Sequence, residues 1–318
     1  MALPEVSIVV PFYNEEDSAR QLISSLTALL EDMAVNWELL LVSDGSTDAT
    51  ELIISEASNR DERIKGIFLS RNFGHQAALC AGLDHASGRA VISMDADLQH
   101  PPEMIKEMVR LWKNGIPVVY TVRTEDSQVG LIKGLTSKIF YSMLRRLTSI
   151  NVGVGSADFR LLDRRVVDAL KECGEHHLFY RGLVRWIGFR QAALPYVART
   201  RFGGKSKYTY AKMFSLAEDA LLSFTDIPLT LAMVAGAFTL VFAIVYGVYI
   251  VFHIICGGQV QMGWTSLMFM LLLFGGTILF SLGIIGRYIG RIYDEVKRRP
   301  RYVVGRHLGV QTGAPNLK

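Results

Sequence analysis

The sequence predicts an α/β domain with a mostly parallel sheet, followed by two membrane-spanning helices. Three observations carry this expectation. Short β-branched runs alternate with amphipathic stretches over residues 6–122, acidic clusters recur just after those runs, and no Asp, Glu, Lys or Arg lies between Asp226 and Arg287. The alternation is what a βαβ sheet requires, and the uncharged stretch is what a bilayer requires.

In chain order, strands are expected at Val6–Val10, Glu38–Val42, Ile64–Leu69, Ala90–Met94 and Val118–Val122. Helices are expected between them at Ser18–Asp32, Ala49–Asn59, His75–His85 and Pro102–Asn114, the last opening on a proline that a first helical turn tolerates. Three polar clusters follow strands: Pro11-Phe12-Tyr13-Asn14-Glu15-Glu16, Ser43-Asp44-Gly45-Ser46-Thr47-Asp48 and Asp95-Ala96-Asp97-Leu98-Gln99. The carboxyl ends of parallel strands share one edge, where ligands bind, so the clusters are expected to converge there.

The uncharged stretch divides at Cys256-Gly257-Gly258-Gln259-Val260-Gln261 into expected spans Leu229–Ile255 and Trp264–Gly286. Arg199, Arg201, Lys205, Lys207 and Lys212 precede the first, and Arg287, Arg291, Lys297, Arg298, Arg299, Arg301 and Arg306 follow the second, while the connecting loop has no Lys or Arg. Basic flanks mark the cytoplasmic side, so both ends of the hairpin are expected there. The small residues Gly275, Gly276, Gly283, Gly286 and Gly290 permit close helix contacts and hence a homo-oligomer of unspecified number. Segments 133–147 and 208–224 are amphipathic, suited either to the membrane interface or to packing on the soluble domain. The expected divisions are a catalytic domain at 1–200, a juxtamembrane segment at 201–228, the hairpin at 229–287 and a basic cytoplasmic tail at 288–318.

With 34 basic and 30 acidic side chains, the chain is too balanced for general nucleic-acid binding. Its three cysteines have neither a paired nor a metal-type spacing, which fits a reducing compartment. The first apolar run, ending at Pro11, is too short for a signal peptide, so the first domain is expected in the cytosol.

No Gly-rich dinucleotide fingerprint or P-loop occurs, and carboxylates dominate the strand ends instead. Carboxylates repel a diphosphate, so a nucleotide there would need a bridging cation, with Mg or Mn the expected choice. Asp95 and Asp97, two residues apart, would point to one side of an extended chain, either sharing a metal or dividing metal and ribose between them. Structural roles compete for two acids: Asp44 could form an Asx turn with Gly45, and Asp48 could cap a helix.

These clusters, with Leu69-Ser70-Arg71-Asn72-Phe73-Gly74-His75, Asp95-Ala96-Asp97-Leu98-Gln99-His100-Pro101-Pro102-Glu103, Gly155-Ser156-Ala157-Asp158-Phe159-Arg160 and Arg201-Phe202-Gly203-Gly204-Lys205-Ser206-Lys207-Tyr208, resemble the inverting family 2 glycosyltransferases. Within them the chain is most similar to the polyisoprenyl-phosphate group, which includes dolichol-phosphate mannose synthases and bactoprenol glucosyltransferases. The resemblance implies a GT-A fold, with Pro11, Tyr13, Glu15, Asp44, Arg71, Asp95 and Ala96 around the donor and Asp95, Asp97 and Gln99 around the metal. By likeness to two-span bacterial members it also implies UDP-glucose as donor, undecaprenyl phosphate as acceptor and a bacterial inner membrane. A processive polysaccharide synthase fits less well, since two spans are few for a polymer channel.

The acceptor sharpens the expected chemistry. An alcohol must lose a proton during attack and so needs a general base, whereas a phosphate monoester, with a second pKa of about 6, is already largely dianionic near neutrality. Such a site should hold its acceptor with positive charge, and Arg123, Arg201, Lys205, Ser206 and Lys207 are the expected phosphate-binding residues, with a collar for anionic lipids as the competing role of the lysines. Asp158 resembles the family's catalytic-site carboxylate, acting either as a base or by orienting other groups.

Overall fold

The computed structural model describes residues 3–123, 156–175, 180–197, 227–256 and 263–310. The order of elements among them is β1 (Val6–Phe12), α1 (Glu16–Asp32), β2 (Trp37–Ser43), α2 (Thr50–Arg60), β3 (Ile64–Leu69), α3 (His75–His85), β4 (Ala90–Ser93), α4 (Met104–Lys113), β5 (Val118–Arg123), β6 (Ser156–Asp163), α5 (Arg164–Glu172), α6 (Tyr180–Trp186), β7 (Gln191–Tyr196), α7 (Ile227–Ile255), α8 (Trp264–Val296) and β8 (Val304–Leu308). The chain divides into two units, Met1–Leu216 with Pro300–Lys318, and Ala217–Arg299.

The first unit is built on one sheet in the order β7-β5-β6-β4-β1-β2-β3-β8. β1 runs parallel to β2, in register from Val6↔Trp37 to Phe12↔Ser43, and parallel to β4, while β2 runs parallel to β3. Every residue of β1 and β2 is buried, as expected of central strands covered on both faces. α1 meets the sheet through Ala19, Leu22, Ile23, Leu26 and Leu30, the helical spacing of an apolar stripe. These pack with Ile8, Val10, Phe12, Leu39, Leu41, Ile92 and Phe159 into the core, where each large aliphatic side chain contributes roughly 1.5–3 kcal/mol by leaving water. α3 lies closer to the sheet than a side chain would allow at one point: a Cβ on Gly82 would meet Val9 Cγ1 at 2.1 Å.

The five expected strands and four helices all form. Three further strands, beyond the five expected, make the sheet mixed. β6 inserts antiparallel between β4 and β5, β7 runs parallel to β5, and β8 runs antiparallel to β3.

In the second unit, α7 and α8 are both long and apolar enough to cross a membrane, over Leu229–Tyr249 and Leu273–Val296. α8 does not stop where the uncharged run ends at Gly286 but continues to Val296, because Arg and Glu are good helix formers. At 33 residues it is about 50 Å long, well beyond the roughly 30 Å of a bilayer core. Residues 288–296 finish α8, and Val304–Leu308 join the sheet as β8. The amphipathic segments 133–147 and 208–224 lie outside the described residues.

Candidate active site

The strand-end clusters interlock. Asn14 Oδ1 accepts from Thr47 N (2.8 Å) while Asn14 N donates to Ser46 Oγ (3.1 Å), joining the loop after β1 to the loop after β2. Asp48 accepts from Thr50 N (3.0 Å) and Glu16 N (3.2 Å), so its carboxylate serves the starts of two helices. Pro11 lies within β1 opposite Val42. Tyr13, at the strand's exit, is 41% exposed, and Glu15 precedes α1, its carbonyl accepting from Ser18 N and Ala19 N.

Asp44, only 2% exposed, reaches the loop that follows β3: Oδ1 accepts from Phe73 N (2.7 Å) and Oδ2 from Gly74 N (2.9 Å). Burial pushes its carboxyl above the usual range, and these two N–H donors only partly offset that. The contact depends on Gly45, whose φ is +64°, since a Cβ there would meet Arg71 C at 2.5 Å. Arg71 lies over the Phe73 ring, 4.3 Å from its centroid.

The third cluster departs from expectation. β4 ends at Ser93, and the chain turns through Ala96 and Asp97, with Asp97 Oδ1 accepting from Gln99 N (3.2 Å) and Leu98 at φ +58°. The extended geometry expected to put Asp95 and Asp97 on one side is absent, because a short acid that accepts a following N–H favours a turn. Ala96 is buried in the core. Asp95 sits between two imidazoles, with His100 Nε2 3.1 Å from Oδ2 and His75 Nε2 3.4 Å from Oδ1. Burial alone would raise its pKa, but the two histidines hold it below the usual carboxylate value.

Asp158, on buried β6, completes the group. Ser93 Oγ donates to its carbonyl, and Arg181 clamps its carboxylate at both oxygens (2.9 and 2.8 Å). Arg160, itself buried, lies 3.4 Å from Oδ1, and His75 Nε2 lies 3.9 Å from Oδ2. Burial would raise the acid's pKa, yet the Arg181 charge and hydrogen bonds, with Arg160 and His75, hold it far below the carboxylate range. Burial in turn pushes Arg160 down to about 10, which leaves it charged near neutrality.

The His100 ring packs against Phe159 and Tyr196, with centroids 5.1 and 5.4 Å apart. Tyr196 is the β7 partner of Arg123 at the exposed end of β5, so Arg123 stands beside this wall. Arg201, Lys205, Ser206 and Lys207 lie outside the described residues. Four residues of the group had no assigned role in the sequence reading. His75, His100 and Arg160 fall inside the motifs quoted above, whereas Arg181, 23 residues beyond its partner Asp158, carries no such signal.

Among the described residues, no group of three His, Cys, Asp or Glu side chains could by itself hold a metal ion. Asp95, Asp97 and Gln99 offer oxygen donors of the kind a hard cation takes, and Mg²⁺ in nucleotide sites uses one or two carboxylates and completes its shell with water and phosphate.

A model of glycosyl transferase family 2 matches residues 7–171. The uncharacterized glycosyltransferase YkcC of Bacillus subtilis (strain 168) is 43% identical over 96% of this chain and 95% of its own length. The SfII prophage-derived bactoprenol glucosyl transferase of Shigella flexneri is 35% identical over 94% of this chain and 97% of its own. Among solved structures, glucosyl-3-phosphoglycerate synthase from Mycobacterium tuberculosis aligns over 69% of this chain and 78% of its own, with 19% identity and a TM-score of 0.47. With its sheet, its strand-end carboxylates and full-length relatives of this kind, the chain belongs to glycosyl transferase family 2 and is a homologue of the bactoprenol glucosyl transferases.

Proposed function

We propose that this chain transfers glucose from UDP-glucose, with inversion, to a polyprenyl phosphate such as undecaprenyl phosphate at the cytoplasmic face of a bacterial inner membrane. The observation that carries the reading is the Asp158 clamp. An acid held as a carboxylate by Arg181 and Arg160 is a poor proton acceptor. That suits an acceptor such as a phosphate, which needs no deprotonation. The 35% identity to a bactoprenol glucosyl transferase along nearly the whole chain supports the same acceptor class.

Asp95, Asp97 and Gln99 would hold Mg or Mn, and such a cation, when bound, stabilises charge on a departing nucleoside diphosphate. Asp44 keeps the loop after β3 against the donor side, where Pro11, Tyr13, Glu15, Arg71 and Ala96 complete the proposed donor site. Asp158 and His75 orient the reacting groups, while Arg123, with Arg201, Lys205, Ser206 and Lys207, holds the acceptor phosphate. The two apolar helices keep this chemistry at a membrane surface, both termini cytoplasmic, and the glycines of α8 suit a homo-oligomer.

The test offers the full-length protein a panel of labelled nucleotide sugars with polyprenyl phosphate, with and without a chelator. Label entering the lipid fraction from UDP-glucose, abolished by the chelator and restored by Mg²⁺ or Mn²⁺, is expected. Exclusive use of GDP-mannose would overturn the donor assignment, many sugars per lipid would indicate a processive synthase, and binding without turnover would indicate a receptor.

A further inference from the structure

The segment that follows α8 does more than close the sheet. β8 pairs antiparallel with β3 from Gly66↔Leu308 to Leu69↔Val304, and Ser70 N donates to Val303 O (2.9 Å). The residue held by that bond opens the loop 70–74, the same loop that Asp44 fixes through Phe73 and Gly74.

Two residues just ahead of β8, separated from it by Val303, reach further. Tyr302 Oη donates to Asp84 Oδ2 (2.9 Å) and Arg301 Nη1 to Cys80 Sγ (3.6 Å), both on α3. α3 is the helix whose first residue, His75, faces Asp95 and Asp158. Cys80 is buried, and the Tyr180 side chain lies beside its thiol. Tyr180 begins α6, and the next residue, Arg181, is the clamp on Asp158. One polar cluster of Cys80, Asp84, Tyr180, Arg301 and Tyr302 therefore touches both elements that set the Asp158 carboxylate.

We propose that Arg301 and Tyr302 are positioning residues for the transfer reaction. By holding Cys80 and Asp84 they fix α3 and, through Tyr180, α6, so that His75 and Arg181 meet Asp158 in register. Neither residue touches a reacting group. The inference rests on the reading of Asp95 and Asp158 as the reacting centre. A bond that only tied down the end of the chain would have no reason to converge on these two helices. Catalytic geometry, by contrast, is sensitive to small displacements originating far from the chemistry.

The test uses the full-length protein in membranes, with Tyr302→Phe, Arg301→Ala, Arg301→Lys and Arg181→Lys measured per amount of folded protein. Tyr302→Phe removes a single hydroxyl and keeps the ring, so it remains informative should Arg301→Ala fail to fold. Each of Tyr302→Phe and Arg301→Ala is expected to lower kcat about 10-fold, with the donor KM within about two-fold of wild type. Arg301→Lys is expected to recover most of the loss. Added to Arg181→Lys, Tyr302→Phe is expected to cost less than about two-fold more, because coupled sites are not additive. A kcat within about two-fold of wild type in Tyr302→Phe, accompanied only by a lower thermal midpoint, overturns the proposal, as do losses that multiply in the double variant. Asp158→Asn measured alongside separates the two readings. If it is inactive while the Arg301 and Tyr302 variants turn over normally, their positioning role alone falls; if it turns over normally, the reading of the site falls and the positioning role with it.

Discussion

Arg181 meets Asp158 at two points, Nε 2.9 Å from Oδ1 and Nη2 2.8 Å from Oδ2, on an acid that is only 6% exposed. A planar fork of this kind fixes both the charge and the orientation of a carboxylate. Removing either partner would leave an uncompensated charge in a buried place.

The pH dependence of activity should reflect that clamp. The folded-state pKa of Asp158 is depressed, so the group stays ionised at every pH above its ordinary value near 4 and contributes no inflection around neutrality. Asp158→Asn is expected to lower kcat by about 100-fold or more, with a pH profile parallel to wild type from about pH 6 to 8. Loss of a wild-type inflection in that range would assign Asp158 a proton-accepting role.

Gly45 offers a separate test of the donor side. A Cβ there would meet Arg71 C at 2.5 Å and Asn72 N at 2.7 Å, and the backbone sits at φ +64°. Gly45→Ala is expected to destabilise the fold by about 1–3 kcal/mol in thermal unfolding and to raise the donor KM, because the loop carrying Arg71 must shift. Unchanged donor affinity in folded protein would separate that loop from the nucleotide.

Acid stability should depend on Glu38, at the opposite end of β2 from Asp44. Its Oε1 accepts from Ser7 Oγ, Ser87 N and Ser87 Oγ, and Lys65 Nζ reaches Oε2. Burial would raise its pKa, but Lys65, Ser7 and Ser87 together hold it below the usual value. The stabilisation is therefore present above the unfolded glutamate pKa near 4.3 and is lost as pH falls through the lower folded value. Glu38→Gln is expected to lower stability by about 2–4 kcal/mol near neutrality, and the gap in thermal midpoint should close as pH drops below about 4. A gap that persists unchanged at low pH would trace the loss to packing instead of charge.

The first five strands were legible because each is an apolar run bounded by polar turns. β6 was not, since Asp158 and Arg160 interrupt its apolar pattern and are tolerated inside because they pair with each other and Asp158 also pairs with Arg181. β7 contains Pro195 and runs at a sheet edge, where proline is permitted. β8, Val-Gly-Arg-His-Leu, becomes a strand through a partner more than two hundred residues earlier, which no local signal encodes. Asp44, Asp95 and Asp97 were legible from their place after strands, and Asp158 only through the resemblance of its motif. Their partners His75, His100 and Arg181 were not, because a pairing across elements depends on the assembled sheet.

β8 also imposes a counting rule on the membrane segment. Strands that precede α7 and a strand that follows α8 share one hydrogen-bonded sheet. A sheet cannot be threaded through lipid, where every unpaired backbone group is costly. If α7 and α8 cross a bilayer, as their length and composition allow, the chain between those strands must cross it an even number of times. In such an arrangement, deleting or reversing a single helix of the pair would strand β8 on the far side and expose the edge of β3.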